Sequence, residues 1–140
     1  MKKFYAVFDT NVLVSSLMSK RDDAATVLLL DFVLDGQIIL LYSNEIVVEY
    51  EDVLHREKFN FNDERINAVL EMVKMGLCLE PTPSGEMFPD ADDAVFYEVA
   101  LSKEGSFLVT GNQRHFPKSP IVVTPSEMLQ IVRDEKNPEI

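Results

Sequence analysis

Asp9 is the first residue of this sequence that could carry chemistry, because it directly follows the continuous apolar run 4–8. Such a run is typical of a strand that is buried on both faces, and an unpaired carboxylate at its end is costly to bury. Thr10 and Asn11 follow, so Asp9 can also serve as the N-cap of a helix. A capping role and a bound cation therefore both remain open for this carboxylate.

Glu49 is the second candidate, and it lies in a segment with the apolar spacing of a helix. At about 100° per residue it falls at the edge of the apolar stripe, whereas Glu45, Glu51 and Asp52 fall further out. Glu49 is therefore the acid of this helix that is best placed to reach across the carboxyl edge of a sheet. Taken alone, it is more typical of an ordinary glutamate at a helix boundary.

The third candidate is an acidic cluster, Asp90, Asp92 and Asp93, at the predicted start of another helix. One of these carboxylates can cap the helix, and the helix dipole modestly stabilises the others. Asp93, however, precedes Phe96 by three residues and Ala100 by seven, which places it on the inward face of the helix. A cation explains an inward acid at this position better than capping does.

Asn112 is the fourth candidate, in the loop that follows the fourth predicted strand. Gly111 permits a tight turn there, and Asn112 can supply an oxygen ligand or a hydrogen-bond donor, or simply form an Asn turn. Arg114, His115 and Lys118 make a small basic patch in the same loop of an acidic chain. This patch can contact phosphate or be a solvated polar loop, and the two interpretations have about equal weight.

Strands and helices are predicted to alternate along the chain, since buried apolar runs are separated by amphipathic segments. Asp22 or Asp23 can begin the first long helix and Gly36 can end it, and Ser43 can cap the next. A capping box from Thr124 to Glu127 predicts the start of the last helix. The predicted strands are 4–8, 38–42, 77–80, 107–109 and 121–123, and the helices include 24–34, 62–75 and about 91–103.

This alternation predicts an α/β sandwich with a mainly parallel sheet, in which ligands bind at the carboxyl ends of the strands. Asp9, Asp93 and Asn112 fall at that edge and Glu49 can reach it. Three carboxylates in one cleft repel one another, and cations between them keep them ionised. Hard Mg²⁺ or Mn²⁺ fits such oxygen ligands, and one or two of these ions can activate water and stabilise the charge on a phosphodiester.

Size and composition predict a single domain over residues 1–135, followed by a polar tail at 136–140 that begins to fray from Asp134. The one cysteine, Cys78, lies in an apolar run and is predicted to be a buried, inert thiol. Neither a signal peptide nor a membrane-spanning segment is recognisable, which predicts a cytoplasmic protein without membrane contact. The formal net charge of -11 argues against a surface that grips nucleic acid through its phosphates alone.

The ordered motifs resemble those of the PIN-domain nucleases over nearly the whole chain. The opening motif of that family is similar to residues 9–15, the second acidic motif to 45–54, the third to 90–100 and the fourth to 109–112. The resemblance is closest to the toxin components of toxin–antitoxin systems. It implies a three-layer α/β/α sandwich with a five-stranded, mainly parallel sheet, and Mg²⁺- or Mn²⁺-dependent cleavage of single-stranded RNA.

Carried over by motif, the resemblance makes Asp9, Glu49 and Asp93 the catalytic metal ligands. Asp92 and Asn112 would assist at the metal, and Thr10, Asn11 and Asp90 would have supporting roles. Substrate contacts would come from Arg114, His115 and Lys118. Many members of the family carry an aspartate at the position of Asn112, so a second metal position is in doubt. A small antitoxin protein and a second copy of the chain are the partners that the resemblance suggests.

Two other enzyme classes place acids after a first strand, and both fit poorly. A dehalogenase-type phosphatase requires a second aspartate where Asn11 stands, and a receiver domain requires a lysine after the last strand, where Thr124 and Pro125 stand. A stronger alternative is a PIN-like binding module with impaired catalysis, acting through RNA or protein contacts. Asn112 favours that alternative, whereas the presence of all three central acids argues against it.

Overall fold

The computed structural model describes residues 2–136, whose five strands form one parallel sheet in the order β3-β2-β1-β4-β5. The strands are β1 (Phe4–Phe8), β2 (Ile38–Tyr42), β3 (Leu77–Cys78), β4 (Phe107–Val109) and β5 (Val122–Val123). The helices are α1 (Thr10–Met18), α2 (Ala25–Leu34), α3 (Asn44–Leu54), α4 (Asp63–Lys74), α5 (Ala94–Leu101) and α6 (Pro125–Lys136). The predicted α/β sandwich with a parallel sheet is confirmed.

The central strand β1 carries the core, because it pairs with β2 on one side and with β4 on the other. Ala6, Val7 and Phe8 have no exposed surface, as expected for a strand that is covered on both faces. From β1 the chain adds β2 and β3 on one side of the sheet and then β4 and β5 on the other, so the strand order reverses between β1 and β4. Ligands bind at such a reversal in open α/β sheets, outside the carboxyl ends of the strands. Asp9 and Thr110 directly follow those two ends.

Several predicted helix boundaries are confirmed by the hydrogen bonds at their ends. Ser43 accepts a hydrogen bond from the backbone of Ile46, and Thr124 and Glu127 form the predicted reciprocal capping box. Gly36 follows α2 with a φ of +80°, a conformation that favours glycine. The last helix extends through residues predicted to fray, and residues 137–140 lie outside the described part of the chain.

Two local predictions are wrong. The N-cap of α2 is Ala24, which makes no side-chain capping bond, and Asp23 instead pairs with Arg21 on the surface. Cys78 is exposed, not buried. The reason is that β3 is a two-residue strand at the edge of the sheet, so the apolar run around it is not enclosed on both faces.

Smaller differences concern the lengths of elements. A 3₁₀ turn at Ala91–Asp93 precedes α5, which ends at Leu101, two residues earlier than predicted. Beyond β3, Leu79 adds one further backbone bond to Tyr42 before the chain turns away. No helix within residues 2–136 combines the length and apolar character needed to cross a membrane.

Candidate active site

Asp9 is both the N-cap of α1 and a buried carboxylate at the carboxyl edge of the sheet, with 7% of its surface exposed. Its Oδ1 accepts a hydrogen bond of 2.8 Å from the Thr10 amide. Its Oδ2 accepts bonds of 2.8 Å from the Thr110 hydroxyl and 3.2 Å from the Asn11 side chain. Capping therefore accounts for only one of the three bonds that hold this side chain.

The charge of Asp9 is costly in this position. Burial raises the pKa of the Asp9 carboxyl, although its bonds from Thr110, Thr10 and Asn11 and the nearby His115 act in the opposite direction. The surrounding donors thus offset only part of the lost hydration. A carboxylate held in this way is strongly fixed in orientation and favours a nearby cation.

Asp93 lies at the junction between the 3₁₀ turn and α5, and its side chain is 17% exposed. Burial, followed by the charges of Asp9 and Asp90, raises the pKa of the Asp93 carboxyl to about 6. Its Oδ2 lies 3.3 Å from Nδ1 of His115, which acts to lower the pKa of Asp93 and so opposes part of the effect of burial. This buried oxygen makes no other polar contact of hydrogen-bonding geometry among residues 2–136.

Glu49 is half-buried on α3, and its carboxyl is subject to the charges of Asp92 and Asp90 from the acidic turn at 90–93. Burial, and then the charges of Asp92 and Asp52, raise the pKa of the Glu49 carboxyl. Asp90 adds to this repulsion and also acts on Asp93. Asp90 thus acts on both Glu49 and Asp93, and Asp9 acts on Asp93, so these acids are electrostatically coupled.

The remaining predicted residues surround this group. Asp90 is exposed and caps the 3₁₀ turn by accepting a bond of 2.9 Å from the Asp92 amide. Asn11 links the two loops, because its Oδ1 accepts a bond of 3.2 Å from the Gly111 amide. Asn112 is exposed and donates its backbone amide to the Thr110 hydroxyl at 2.9 Å.

The basic patch is only partly joined to the acids. His115 contacts Asp93, whereas Arg114 and Lys118 are exposed and border a separate cleft. None of the ion pairs formed among residues 2–136 involves Arg114 or Lys118. The two side chains are therefore available to a ligand.

Thr110 and Tyr50 help to position the site, although the sequence analysis assigned no role to either residue. Thr110 is completely buried and binds Asp9 and the Asn112 amide through one hydroxyl. Tyr50, next to Glu49 on α3, donates its buried hydroxyl to the carbonyl of Phe8, immediately before Asp9. Thr110 was recognisable as a polar residue at the end of an apolar strand, but Tyr50 has the spacing of an ordinary core residue.

A divalent ion binds at this site only if the available oxygen ligands match the coordination that the ion prefers. Within residues 2–136, no group of three or more histidine, cysteine or acidic side chains is arranged to hold a metal ion. Mg²⁺ is commonly held by one or two carboxylates and completes its coordination with water. Asp9 and Asp93, whose carboxyls act on each other electrostatically, can supply two such carboxylates.

A comparison with protein families identifies a known domain. A family model described as a PIN domain matches residues 5–114, a range that includes the acids and the first part of the loop after β4, as far as Arg114. No curated protein matches the chain. The matched range covers more than two thirds of the sequence and includes β1 from Tyr5 onwards, β2, β3 and β4.

Proposed function

Because the chain belongs to the PIN-domain family, whose members are generally nucleases, we propose that it is a Mg²⁺- or Mn²⁺-dependent endoribonuclease acting on single-stranded RNA. The observation that carries this proposal is the pair formed by Asp9 and Asp93. Both carboxyl groups are largely buried, each has a raised pKa, and the charge of Asp9 acts on Asp93. Raised carboxyl pKa values in a shared cleft are characteristic of functional sites.

Asp9 and Asp93 are the residues that would hold the ion, with Glu49, Asp92 and Asn112 as further candidates. When bound, Mg²⁺ or Mn²⁺ would polarise the phosphodiester and favour ionisation of the attacking water. The fixed orientation of Asp9 comes from the hydrogen bonds of Thr10, Asn11 and Thr110. Such supporting bonds commonly change metal affinity or activity by about 10–100-fold.

Glu49 is suited to a second role, since its raised pKa makes it a better proton acceptor than an ordinary glutamate. A carboxylate oxygen of Glu49 would take a proton from the attacking water as the water oxygen bonds to phosphorus. The bond between phosphorus and the leaving oxygen would break, and solvent would protonate that oxygen. Arg114, His115 and Lys118 would contact phosphates of the same strand. The charges of Arg114 and Lys118 give an acidic chain a local surface on which RNA can bind.

Cleavage by the purified protein tests this function. Mixed RNA is incubated with Mn²⁺, with and without a chelator, beside Asp9→Asn and the control Asp35→Asn on the exposed end of α2. We expect cleavage by the wild type and the control, and none with the chelator or with Asp9→Asn. Equal cleavage by the wild type and Asp9→Asn would overturn the proposal.

The physiological role that we propose is that of a cytoplasmic toxin restrained by a small antitoxin protein, with a homodimer as its assembly. It is supported by the family and by the resemblance of the motifs. Induced expression should arrest growth when Asp9, Glu49 and Asp93 are intact, and should not do so for Asp9→Asn at the same protein level. If the wild type and Asp9→Asn both arrest growth, the toxicity does not depend on catalysis.

A PIN-like binding module with impaired catalysis is the second candidate, and Asn112 favours it. An amide brings no charge to the metal, and no hydrogen bond holds this side chain within residues 2–136. This candidate predicts that the protein binds RNA in the presence of Mn²⁺ and leaves it intact. The cleavage assay therefore distinguishes the two functions directly.

A further inference from the structure

A cleft of about 600 Å³ lies beside the proposed active site, between the 3₁₀ turn at Gln113–His115 and the edge strand β5. Its floor is apolar and is formed by Phe116, Pro117 and Val122. The volume is within the range of about 300–1,000 Å³ that is usual for small-molecule sites. It is also larger than the cleft of about 210 Å³ beside Asn11 and Gly111.

The cleft does not offer a free strand edge to a partner. The amide of Val122 donates to the carbonyl of Ser119 at 3.1 Å, and the carbonyl of Val122 accepts the Gln113 side chain at 3.1 Å. The outward backbone groups of this residue are thus already bonded, which disfavours the addition of another strand. An occupant must instead use the apolar floor and the side chains around it.

The rim of the cleft is positively charged in a chain whose formal net charge is -11. Arg114 and Lys118 both border it, and neither is engaged in an ion pair within residues 2–136. An apolar floor beneath two free cations complements a ligand with a flat ring and a negative charge. A nucleotide has that combination, with a base that can pack on apolar side chains and a phosphate that binds Arg or Lys.

The cleft is adjacent to the carboxylates through two contacts. His115 lies between Arg114 and Phe116 in the sequence, and its Nδ1 is 3.3 Å from the Oδ2 of Asp93. Phe116 packs edge-on against Phe88, which is anchored to α5 through Tyr97. The cleft and the carboxylates are therefore connected through neighbouring side chains of the same loop and of α5.

We propose that this cleft binds one nucleotide of the RNA strand next to the cleaved phosphodiester. The base would lie over Pro117 and the small exposed parts of Phe116 and Val122, which are each 7% exposed, and Arg114 and Lys118 would bind its phosphate. This inference rests on the proposed nuclease function and names a subsite for its substrate. The protein would therefore select for an accessible, unpaired base at that position, because a base within a duplex cannot enter the cleft.

The first experiment measures binding of the four nucleoside 5′-monophosphates and of ribose 5-phosphate by NMR titration, without metal. At least one nucleotide should bind about tenfold more tightly than ribose 5-phosphate, in keeping with the usual contribution of base stacking. Ser119→Trp should fill the cleft, keep both cations and abolish this difference. Equal binding of nucleotides and ribose 5-phosphate by the wild type would overturn the proposal.

The second experiment measures the salt dependence of binding to a short, labelled single-stranded RNA, with a chelator present. The double variant Arg114→Ala/Lys118→Ala should lower the slope of log affinity against log salt by about two phosphate contacts. Lys3→Ala/Lys74→Ala is the matched control, because it removes the same charge from the opposite end of the strands. An equal change of this slope in both double variants would contradict a specific role of Arg114 and Lys118 in binding RNA at the cleft.

Failure of this inference is distinguishable from failure of the proposed function, because both binding experiments omit the metal and need no catalysis. A protein that cleaves RNA but binds ribose 5-phosphate as well as any nucleotide lacks the subsite and keeps its activity. A protein that binds nucleotides in the cleft but cleaves nothing keeps the subsite and loses the proposed function. If Ser119→Trp does not fold, two measurements still test the subsite. They are the comparison of nucleotides with ribose 5-phosphate in the wild type, and the salt dependence of RNA binding in the two double variants.

Discussion

The hydroxyl of Thr110 donates a hydrogen bond of 2.8 Å to Oδ2 of Asp9 and joins residues that are 101 positions apart in the sequence. The same hydroxyl accepts the Asn112 amide. One side chain thereby connects the first acid of the site to the loop that follows β4. It also links the two strands on either side of the point where strand order reverses.

Replacement of this hydroxyl should therefore weaken both the fold and the site. We expect Thr110→Val to lower the free energy of unfolding by about 1–3 kcal/mol, because two buried hydrogen bonds lose their partner. The affinity for Mn²⁺ should fall as well, by about tenfold, because Asp9 loses an orienting bond. Chemical denaturation and a Mn²⁺ titration measure the two effects.

Thr110→Ser is the matched control, since it keeps the hydroxyl and removes only a methyl group. It should recover most of the Mn²⁺ affinity. If the serine and valine variants bind Mn²⁺ equally weakly, the methyl group and not the hydrogen bond is what matters at this position.

Asp93 should make the stability of the metal-free protein depend on pH. The pKa of its carboxyl is raised to about 6 from an ordinary value of 3.8. The folded state therefore holds this proton more tightly than the unfolded state does, and ionisation destabilises the fold above about pH 6. As the pH falls from 6 towards 4, this destabilisation disappears.

Asp93→Asn should consequently be more stable than the wild type at pH 8, by about 1 kcal/mol once solvent screening of the partly exposed group is allowed for. The difference should vanish near pH 4. Urea denaturation at several pH values in the presence of chelator measures it, with Asp31→Asn on the surface of α2 as the control. A difference that grows as the pH falls would contradict the assignment.

The fold could largely be predicted from the sequence, because its central strands are buried on both faces and their apolar runs are unambiguous. The strands 4–8 and 38–42 were predicted with their observed bounds. Edge positions were harder, and Cys78 shows why. An apolar run indicates burial only when both faces of its strand are covered, and coverage depends on the packing of distant elements.

The candidate site was harder to predict than the fold. Asp9 and Asp93 share a sheet edge because the topology brings the ends of β1 and the start of α5 together. The positions of Glu49 relative to Asp9 and to Asp92 depend on how far α3 is rotated and displaced from the sheet. Helical spacing gives the face of a side chain but not that displacement, so the sequence alone does not fix how Glu49 lies relative to Asp9 and Asp92.

Glu49 should contribute to catalysis more than to stability. Glu49→Gln removes a carboxylate whose pKa is raised by burial and by neighbouring acids. We expect cleavage of RNA to fall by at least about tenfold, whereas the free energy of unfolding should be unchanged or slightly higher. Rates of RNA cleavage and urea denaturation, measured on the same preparations, separate the two effects.

Glu45 provides the matched control on the same helix, where it is exposed in the first turn. Glu45→Gln should leave cleavage within about twofold of the wild type, since surface charges of this kind contribute little. Equal losses in the two variants would indicate a general effect of the charge on α3 and no specific role for Glu49.

Asn112 should respond to the addition of a charge. Its side chain is exposed beside Asp9 and Thr110, so Asn112→Asp adds a carboxylate at the edge of the acidic group without filling a buried space. We expect the affinity for Mn²⁺ to rise about tenfold, because ligand charge strengthens binding of hard divalent cations. The metal-free variant should be slightly less stable, by about 0.5 kcal/mol, because the new charge is repelled by the acids.

Asn67→Asp, exposed on α4, is the control for charge alone and should leave Mn²⁺ affinity unchanged. If Asn112→Asp also leaves the Mn²⁺ affinity unchanged, Asn112 does not lie at the metal. The presence of asparagine where many family members carry aspartate then does not limit the activity of the protein.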